Sequence, residues 1–299
     1  MPDSTHIATV ESGWHDMPES VYHTDPCPTP SLSSSCAKTI ISKTLLHAWR
    51  SHPRSPNADP FQASKTMEIG KAVHAAVFGG ADIQVIEFDS YQKRDAQKQR
   101  DAAIAAGLIP ILAKDLPRIE AMADLASERF AGLYGGPYHA ERVAIWRCPR
   151  SGGWRRGMLD TSAKAAPIIV DYKTTDAAVD DEACIRRIFD QGLHIQAAAY
   201  EEAMTVLNPE WAGRIEFYFQ WQEQSNPHAL SRPIKMSEAG MTLGREQWTI
   251  AGALWDAALK ANKFPGYGHS PIEASPPPWE ITRWENRMME DETLNGANA

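Results

Sequence analysis

Two aspartates and one lysine lie in neighbouring strand-like segments of the chain, and these residue types suit metal-assisted chemistry on a phosphate. Residues 155–163 and 168–173 are short runs with strand-forming side chains, and a proline between them favours a turn. We therefore predict an antiparallel hairpin. A turn centred midway between the two segments places Asp160 directly opposite Asp171.

Opposed carboxylates of this kind repel each other unless a cation lies between them. Side chains directly opposite on antiparallel strands have Cβ atoms roughly 5 Å apart, and Mg²⁺ commonly takes one or two carboxylates together with water and phosphate oxygens. Lys173 shares the predicted face of Asp171, so its ammonium could orient an attacking water or stabilise charge on a phosphate. Arg156 shares the predicted face of Asp160 and, with Arg155 beside it, is expected to bind a neighbouring phosphate.

Other segments carry polar residues whose order adds to the hairpin. His74 lies on a helix predicted at residues 67–78, four residues after a glycine. Gln196 and Tyr200 are also four residues apart, so they share one face of a helix. A purely structural interpretation exists for each, since a lone histidine or a tyrosine with a bonded hydroxyl is common in protein interiors. Glu141 opens a further strand-like run.

This ordered set resembles the PD-(D/E)XK nuclease core, in the branch that contains RecE (exonuclease VIII) and the RecB nuclease domain. The segments that carry the resemblance are Gly157-x-x-Asp160, Asp171-Tyr172-Lys173, the helix with His74, and Gln196-Ala197-Ala198-Ala199-Tyr200. The stretch at residues 14–49 is similar to the lead-in of RecE-type domains, so the resemblance covers residues 12–265. Leu159 stands where the name of the family has a proline.

The resemblance implies an α/β fold with a central mixed β-sheet flanked by helices. It also implies one or two Mg²⁺ ions, with Mn²⁺ as a substitute. The expected metal ligands are His74, Asp160, Asp171 and the backbone carbonyl of Tyr172, and the expected catalytic residues are His74, Asp160, Asp171 and Lys173. Accessory or DNA-binding roles are expected for Glu141, Arg155, Arg156, Gln196 and Tyr200, the last two through contact with DNA or with the active-site lysine. No iron-sulfur cluster is expected, because relatives that have one carry a cysteine group after the glutamine-tyrosine helix, and no cysteine follows Cys184 here.

The activity that the resemblance implies is that of a phage or bacterial exonuclease on linear double-stranded DNA. Degradation from 5′ to 3′ would leave a 3′ single strand for a RecT-like single-strand annealing protein, in DNA recombination and repair. A ring-like homo-oligomer is also implied. Two alternatives stay open: an endonuclease or flap nuclease on the same core, and a catalytically inactive module that binds DNA ends.

The overall charge limits how such a protein could bind DNA. A formal net charge of -8 argues against a surface coated with basic residues, because neutralising phosphates requires clustered lysine and arginine. A local patch is compatible with this charge, and the candidates are Lys93, Arg94, Lys98 and Arg100 on a predicted helix, with Arg155 and Arg156. A solvated helix face is an equally good interpretation of the four helical residues.

Other classes of protein are disfavoured by composition. Four cysteines without C-x-x-C spacing argue against a disulfide framework or a zinc ribbon. The sequence shows neither a signal-peptide pattern nor an apolar run long enough to span a bilayer, so we expect a cytoplasmic protein without membrane partners. A phosphate-binding G-x-x-x-x-G-K-[ST] loop is also absent, so ATP-driven unwinding would need a partner.

Three regions are predicted along the chain: an extended arm at residues 1–30, a single nuclease domain at 31–265, and a Pro-rich, acidic tail at 266–299. The tail contains Trp279 and Trp284, which suit either a docking peptide or a frayed end. Predicted helices lie at residues 33–49, 67–78, 94–106, 113–130, 184–206 (interrupted near Gly192) and 237–260, and predicted strands lie at 142–148, 155–163, 168–173 and 214–222.

Overall fold

The computed structural model describes residues 10–58, 65–79, 81–132 and 137–291. Residues 1–9 of the predicted arm, Gly80 after the histidine helix, and residues 292–299 of the tail lie outside the described residues. The chain divides into two units, Met1–Gly266 and Tyr267–Ala299, close to the boundary predicted between nuclease domain and tail.

A mixed six-stranded sheet forms the centre of the first unit. In chain order the strands are β1 (Gly13–His15), β2 (Ile83–Ile86), β3 (Ile109–Leu112), β4 (Tyr138–Arg147), β5 (Trp154–Ala163), β6 (Ile168–Thr175), β7 (Glu216–Glu223) and β8 (Ile234–Lys235). The order across the sheet is β1-β4-β5-β6-β7-β8, with β6 and β7 parallel and the other neighbours antiparallel. β2 and β3 form a separate parallel pair. The α/β fold with a central mixed sheet is therefore confirmed.

Helices surround this sheet. Those of the first unit are α1 (Glu19–His23), α2 (Ser34–Ser42), α3 (Leu45–Arg50), α4 (Lys65–Phe78), α5 (Arg94–Ala105), α6 (Leu116–Gly132), α7 (Asp181–Asp190), α8 (Leu193–Leu207) and α9 (Glu238–Ala261). Ser33, Thr44, Asp180 and Ser237 begin α2, α3, α7 and α9 by accepting hydrogen bonds from N–H groups of the first turn. None of the helices in the described ranges combines the length and apolar character needed to cross a membrane.

The two faces of the sheet have separate cores. Residues of α2, α8 and α9 share one core with Trp146 of β4 and Phe217 and Phe219 of β7. Residues of α4, α6 and β3 share the other core with Val170 and Tyr172 of β6. Successive strand residues point to opposite faces, so β6 contributes Val170 and Tyr172 to the α4 side and Asp171 to the α8 side.

The predicted hairpin is present, and its register is the one expected. β5 pairs with β6 through Thr161–Val170 and Ser162–Ile169, the register that a turn midway between the segments requires. Beyond Thr161 the two strands separate, and Leu32 takes the place beside β5: its N–H donates to the carbonyl of Trp154, 3.0 Å away. The hairpin is therefore open at the end that carries the two aspartates.

The N-terminal segment differs from the extended arm predicted for residues 1–30. Residues 13–15 add a strand to the sheet, and α1 follows directly after them. Tyr22, Asp25 and Cys27 are buried, and Glu19 pairs with Lys71 of α4 at 2.5 Å. The composition of this segment indicated an extended arm, but its few large and charged residues fix it to the domain.

Three other local predictions need correction. The helix predicted at residues 33–49 is two helices, because Thr44 caps a new one. β2 and β3 were not predicted, since strands of four residues give little periodic signal and β3 contains Pro110. In the second unit, residues predicted as a tail form the helix α10 (Pro278–Glu290), which begins at the last of three consecutive prolines.

The packing of α8 against α9 depends on Gly244. A Cβ on this residue would lie 2.2 Å from the carbonyl oxygen of His194 on α8, so the two helices would have to separate. We expect Gly244→Ala to lower the free energy of unfolding by about 1–3 kcal/mol, although alanine favours a helix by up to about 1 kcal/mol over glycine. Urea unfolding measures the change. Gly268→Ala, where a Cβ meets open space, is the control, and equal stability of the two variants would contradict this account.

Candidate active site

Asp160, Asp171 and Lys173 converge at the open end of the hairpin. Nζ of Lys173 lies 2.7 Å from Oδ2 of Asp171 and 3.9 Å from Oδ2 of Asp160. The N–H of Tyr172 donates to Oδ2 of Asp160 at 3.0 Å. The opening between the strands thus holds two carboxylates around one ammonium group.

His74 reaches this cluster from α4. Its Nε2 lies 2.9 Å from the carbonyl oxygen of Tyr172 and 3.3 Å from Oδ2 of Asp160. A carbonyl can only accept, so Nε2 carries the proton of this hydrogen bond. Gly70, one turn earlier, lets α4 approach the strand, because a Cβ there would lie 2.7 Å from Oγ1 of Thr174. The glycine and histidine of the sequence motif therefore act together.

Glu141 lies at an irregularity in β4. Its φ is +45°, in the left-handed region that side chains other than glycine rarely adopt, and the ladder between β4 and β5 is interrupted at Glu141 and Asp160. The distortion directs the carboxylate towards His74, with Oε1 4.0 Å from Nδ1. Strained backbone is often retained at functional sites. The carboxylate predicted to be accessory thus lies near His74, and its role stays a prediction.

Gln196 and Tyr200 support the site from α8. Nε2 of Gln196 donates to Oδ1 of Asp171 at 2.7 Å, and the hydroxyl of Tyr200 donates to the carbonyl of Met158 at 2.8 Å. The two side chains are 7% and 6% exposed. The expectation that they contact DNA or the active-site lysine is therefore corrected: Gln196 orients a carboxylate and Tyr200 holds the backbone of β5. Gly157 makes room for the tyrosine, since a Cβ would lie 2.8 Å from its ring.

Arg155 and Arg156, expected to bind phosphate, are instead buried in ion pairs. Arg155 is 1% exposed and donates to both carboxylate oxygens of Asp256 on α9, at 2.9 and 2.6 Å. Arg156 is 5% exposed, and its Nη1 lies 3.1 Å from Asp25 and 2.6 Å from the hydroxyl of Ser31. Neither guanidinium is available to DNA in this structure, because Asp256 of α9 binds Arg155 and the segment from Asp25 to Ser31 covers Arg156.

The positive charges of the predicted basic helix, α5, are also paired with carboxylates to a greater extent than the sequence indicates. Lys98 lies 3.9 Å from Asp95 within α5, and Arg100 forms an ion pair with Glu68 of α4. These contacts favour the interpretation of α5 as a solvated face whose charges are partly paired.

Burial and neighbouring charges set the protonation of the two aspartates in opposite directions. Burial raises the pKa of Asp171 to about 6, against the attraction of Lys173. Burial also opposes ionisation of Asp160, but the charges of His74 and Lys173 and the N–H of Tyr172 outweigh it and hold the pKa below its usual value. Asp160 is thus the fixed negative charge of the cluster.

The donor set fits a hard divalent cation. Asp160, Asp171 and the Tyr172 carbonyl supply oxygens, and His74 supplies a nitrogen. Oδ2 of Asp171 is buried and accepts no well-formed hydrogen bond, although Lys173 is close. Among the described residues, however, no group of three or more His, Cys, Asp and Glu side chains is already arranged to hold a metal. The Nε2 proton of His74 and the ammonium of Lys173 lie between the oxygens, so cation binding requires these groups to shift.

Lys38 is a residue of this site that the sequence motifs did not indicate. Burial and the charge of Lys173 lower its pKa to about 8, and Asp171 opposes the shift. The one available signal in the sequence was that Lys38 shares a helical face with Ser34, which lies one turn earlier. This signal cannot be interpreted without knowing that α2 packs beside α8.

Comparison with known proteins gives support at the level of the fold. No protein-family model and no curated protein matches the sequence. The fold is similar to the crystal structure of a protein from Eubacterium rectale that is described as a "Putative exonuclease", with a TM-score of 0.57 over 88% of this chain and 96% of that chain. The two sequences are 11% identical. The chain therefore shares its α/β fold with that protein.

Tyr200→Phe tests the structural role given to this tyrosine. Loss of the hydroxyl leaves the carbonyl of Met158 without its donor, so we expect the free energy of unfolding to fall by about 1 kcal/mol. We expect DNA affinity within twofold of the original protein, because the side chain is buried. Urea unfolding and fluorescence anisotropy with a labelled duplex measure the two quantities. A large loss of affinity at unchanged stability would restore a DNA contact for Tyr200.

Proposed function

We propose that this chain is a metal-dependent exodeoxyribonuclease of RecE type, which degrades linear double-stranded DNA from its ends. The observation that carries the proposal is the convergence of Asp160, Asp171 and Lys173 at the open end of the hairpin, with His74 beside them. The nuclease-like fold supports the same class of activity. The order and spacing of the PD-(D/E)XK motifs favour the RecE branch within it.

Each residue of the cluster has a distinct proposed role. Asp160, Asp171, the Tyr172 carbonyl and His74 would hold one or two Mg²⁺ or Mn²⁺ ions. Such an ion, when bound, lowers the pKa of water and polarises the phosphate. Gln196 keeps Oδ1 of Asp171 bonded at 2.7 Å, so Oδ2 stays directed into the site.

Lys173 acts in this proposal as a hydrogen-bond donor. Burial lowers its pKa, but Asp171 and Asp160 outweigh burial and raise the pKa above its usual value. The group therefore remains an ammonium. It orients the attacking water and stabilises the negative charge that develops on the phosphate oxygens.

The finer features of the proposal come from the family resemblance. Degradation would proceed from 5′ to 3′ and leave 3′ single strands, which a RecT-like annealing protein would take up in recombination. A ring-like oligomer would enclose the DNA and offset the unfavourable net charge of -8.

The test uses end-labelled linear duplex DNA beside a covalently closed circle, in Mg²⁺ and in EDTA. Mg²⁺-dependent loss of the linear DNA with an intact circle is the expected result, and the labelled end that disappears first gives the polarity. Cleavage of the circle would replace the proposal by an endonuclease. Binding of ends without loss in Mg²⁺ or Mn²⁺ would indicate an inactive DNA-binding module.

Asp171→Asn and Lys173→Met test the proposed chemistry. Each removes a charge that acts on the phosphate or on the cation, so we expect the cleavage rate to fall by at least roughly 100-fold. Circular dichroism should show an unchanged fold. Lys164→Met removes an exposed lysine from the turn of the same hairpin and should leave the rate unchanged. Cleavage at the original rate by either site variant would reject the proposed site.

His74→Ala tests metal binding by the α4 side chain. Loss of one ligand should raise the Mg²⁺ concentration for half-maximal cleavage by roughly tenfold or more. His139→Ala on β4 is the matched control. The ring of His74 also packs against Tyr172, with centroids 5.2 Å apart, so thermal unfolding is measured in parallel. A collapse of the melting temperature at unchanged Mg²⁺ requirement would assign His74 a structural role.

A further inference from the structure

Packing of α2 along α8 places Lys38 near the proposed catalytic carboxylates. The hydroxyl of Ser34 contacts the phenol of Tyr200 near one end of this packing. One turn further along α2, Cγ and Cδ of Lys38 pack over Gly192, within 3.2–3.3 Å of where a Cβ would be. Gln196 lies between these two contacts on α8 and donates to Asp171. The stem of Lys38 therefore lies one turn of α8 before Gln196, on the side of the site where Gln196 binds Asp171.

The cluster has two sides with different charges. His74 contacts Asp160 from α4, whereas the charged groups that act on Lys38 are Lys173 and Asp171. Lys173 touches both aspartates and lies between the two sides. His74 and Asp160 thus lie towards α4, Asp171 and Lys38 lie towards α8, and Lys173 lies between them.

The positive charge of Lys38 is not neutralised within the described part of the chain. No carboxylate forms an ion pair with it there, and its side chain is half-buried. The charge of Asp171 is already shared with Lys173 at 2.7 Å. A half-buried ammonium next to a second ammonium is unfavourable in the free protein, and an anion that enters the site removes this cost.

We propose that Lys38 binds a phosphate oxygen of DNA on the side of the active site opposite His74. The identity of the anion rests on the proposed function. The ammonium would hold the phosphate near Lys173, so that its negative oxygens meet two cations on the side away from His74. Lys38 is in this sense a DNA-binding residue that fixes where the reacting backbone lies.

Lys38→Met provides the test, because methionine keeps an unbranched stem over Gly192 and loses only the charge. Binding of a labelled blunt duplex is measured in Ca²⁺ between 50 and 200 mM salt, conditions that report DNA contact without relying on cleavage. We expect affinity to fall roughly tenfold or more. The slope of log affinity against log salt concentration should decrease in magnitude by about one unit, which is the loss of one phosphate contact.

Two further variants separate this role from simpler ones. Lys43→Met removes an exposed lysine just after the same helix and should leave affinity and slope unchanged. Lys38→Arg keeps the charge and should retain the original slope. The melting temperature of Lys38→Met should equal or exceed that of the original protein, since an unneutralised charge is removed. A lower melting temperature together with an unchanged salt slope would overturn the proposal and assign Lys38 to packing.

The outcome is distinguishable from failure of the proposed nuclease activity. If the original protein does not cleave but its DNA binding depends on Lys38, the nuclease proposal fails and the phosphate contact stands. If it cleaves and Lys38→Met matches it in affinity, slope and kcat/KM, the contact fails alone. Duplexes with 5′-hydroxyl and with 5′-phosphate ends identify which phosphate is bound. If binding depends on Lys38 with both duplexes, Lys38 contacts a phosphodiester. If binding depends on Lys38 only with the 5′-phosphate duplex, Lys38 contacts the terminal phosphate.

Discussion

The contact between Lys173 and Asp171 is the constraint around which the rest of this site is arranged. Two carboxylates and an ammonium group lie at a partly dehydrated opening between strands, where unpaired charge is strongly unfavourable. Gln196 and the N–H of Tyr172 supply hydrogen bonds to the two carboxylates, and His74 adds a second positive neighbour for Asp160. The surrounding elements are placed where they can make these few bonds.

Two glycines allow the helices to approach the hairpin closely. Gly70 brings α4 against β6, and Gly157 brings Tyr200 of α8 against β5. At each position a single added carbon would collide with a neighbour that belongs to the site. Helices therefore contact the hairpin closely from both faces at the level of Asp160 and Asp171, so the two carboxylates have little freedom to separate.

Local spacing in the sequence was sufficient to predict the hairpin, its register and the two helices that carry His74 and Gln196. Those features depend on residues a few positions apart, where turn chemistry and helical periodicity act directly. The same rules failed for Arg156. Period-two alternation predicts which residues share a face of a strand, but it does not predict whether that face is exposed to solvent. The face of Arg156 is covered by Asp25 and Ser31, which lie more than a hundred positions away in the sequence and contact its guanidinium. Lys38 was missed for the same reason, since its neighbours on α8 are distant in the chain.

The site also contains charged groups that lower the stability of the free protein. Burial disfavours ionisation of Asp171, and Lys38 lies beside another cation. Enzymes commonly retain such local costs where a charged ligand will offset them. The unfavourable electrostatics therefore agree with the proposal that an ion and a phosphate bind here.

The separation in sequence between the parts of the site has a consequence for synthesis. A ribosome releases the chain from its N-terminus at roughly 5–20 residues per second, so α2, α4 and the hairpin emerge well before α8. Until Gln196 is released, Asp171 lacks the side chain that orients it, and Lys38 lacks the helix over which it packs. The complete arrangement around Asp171 therefore cannot form until about two thirds of the chain has been made.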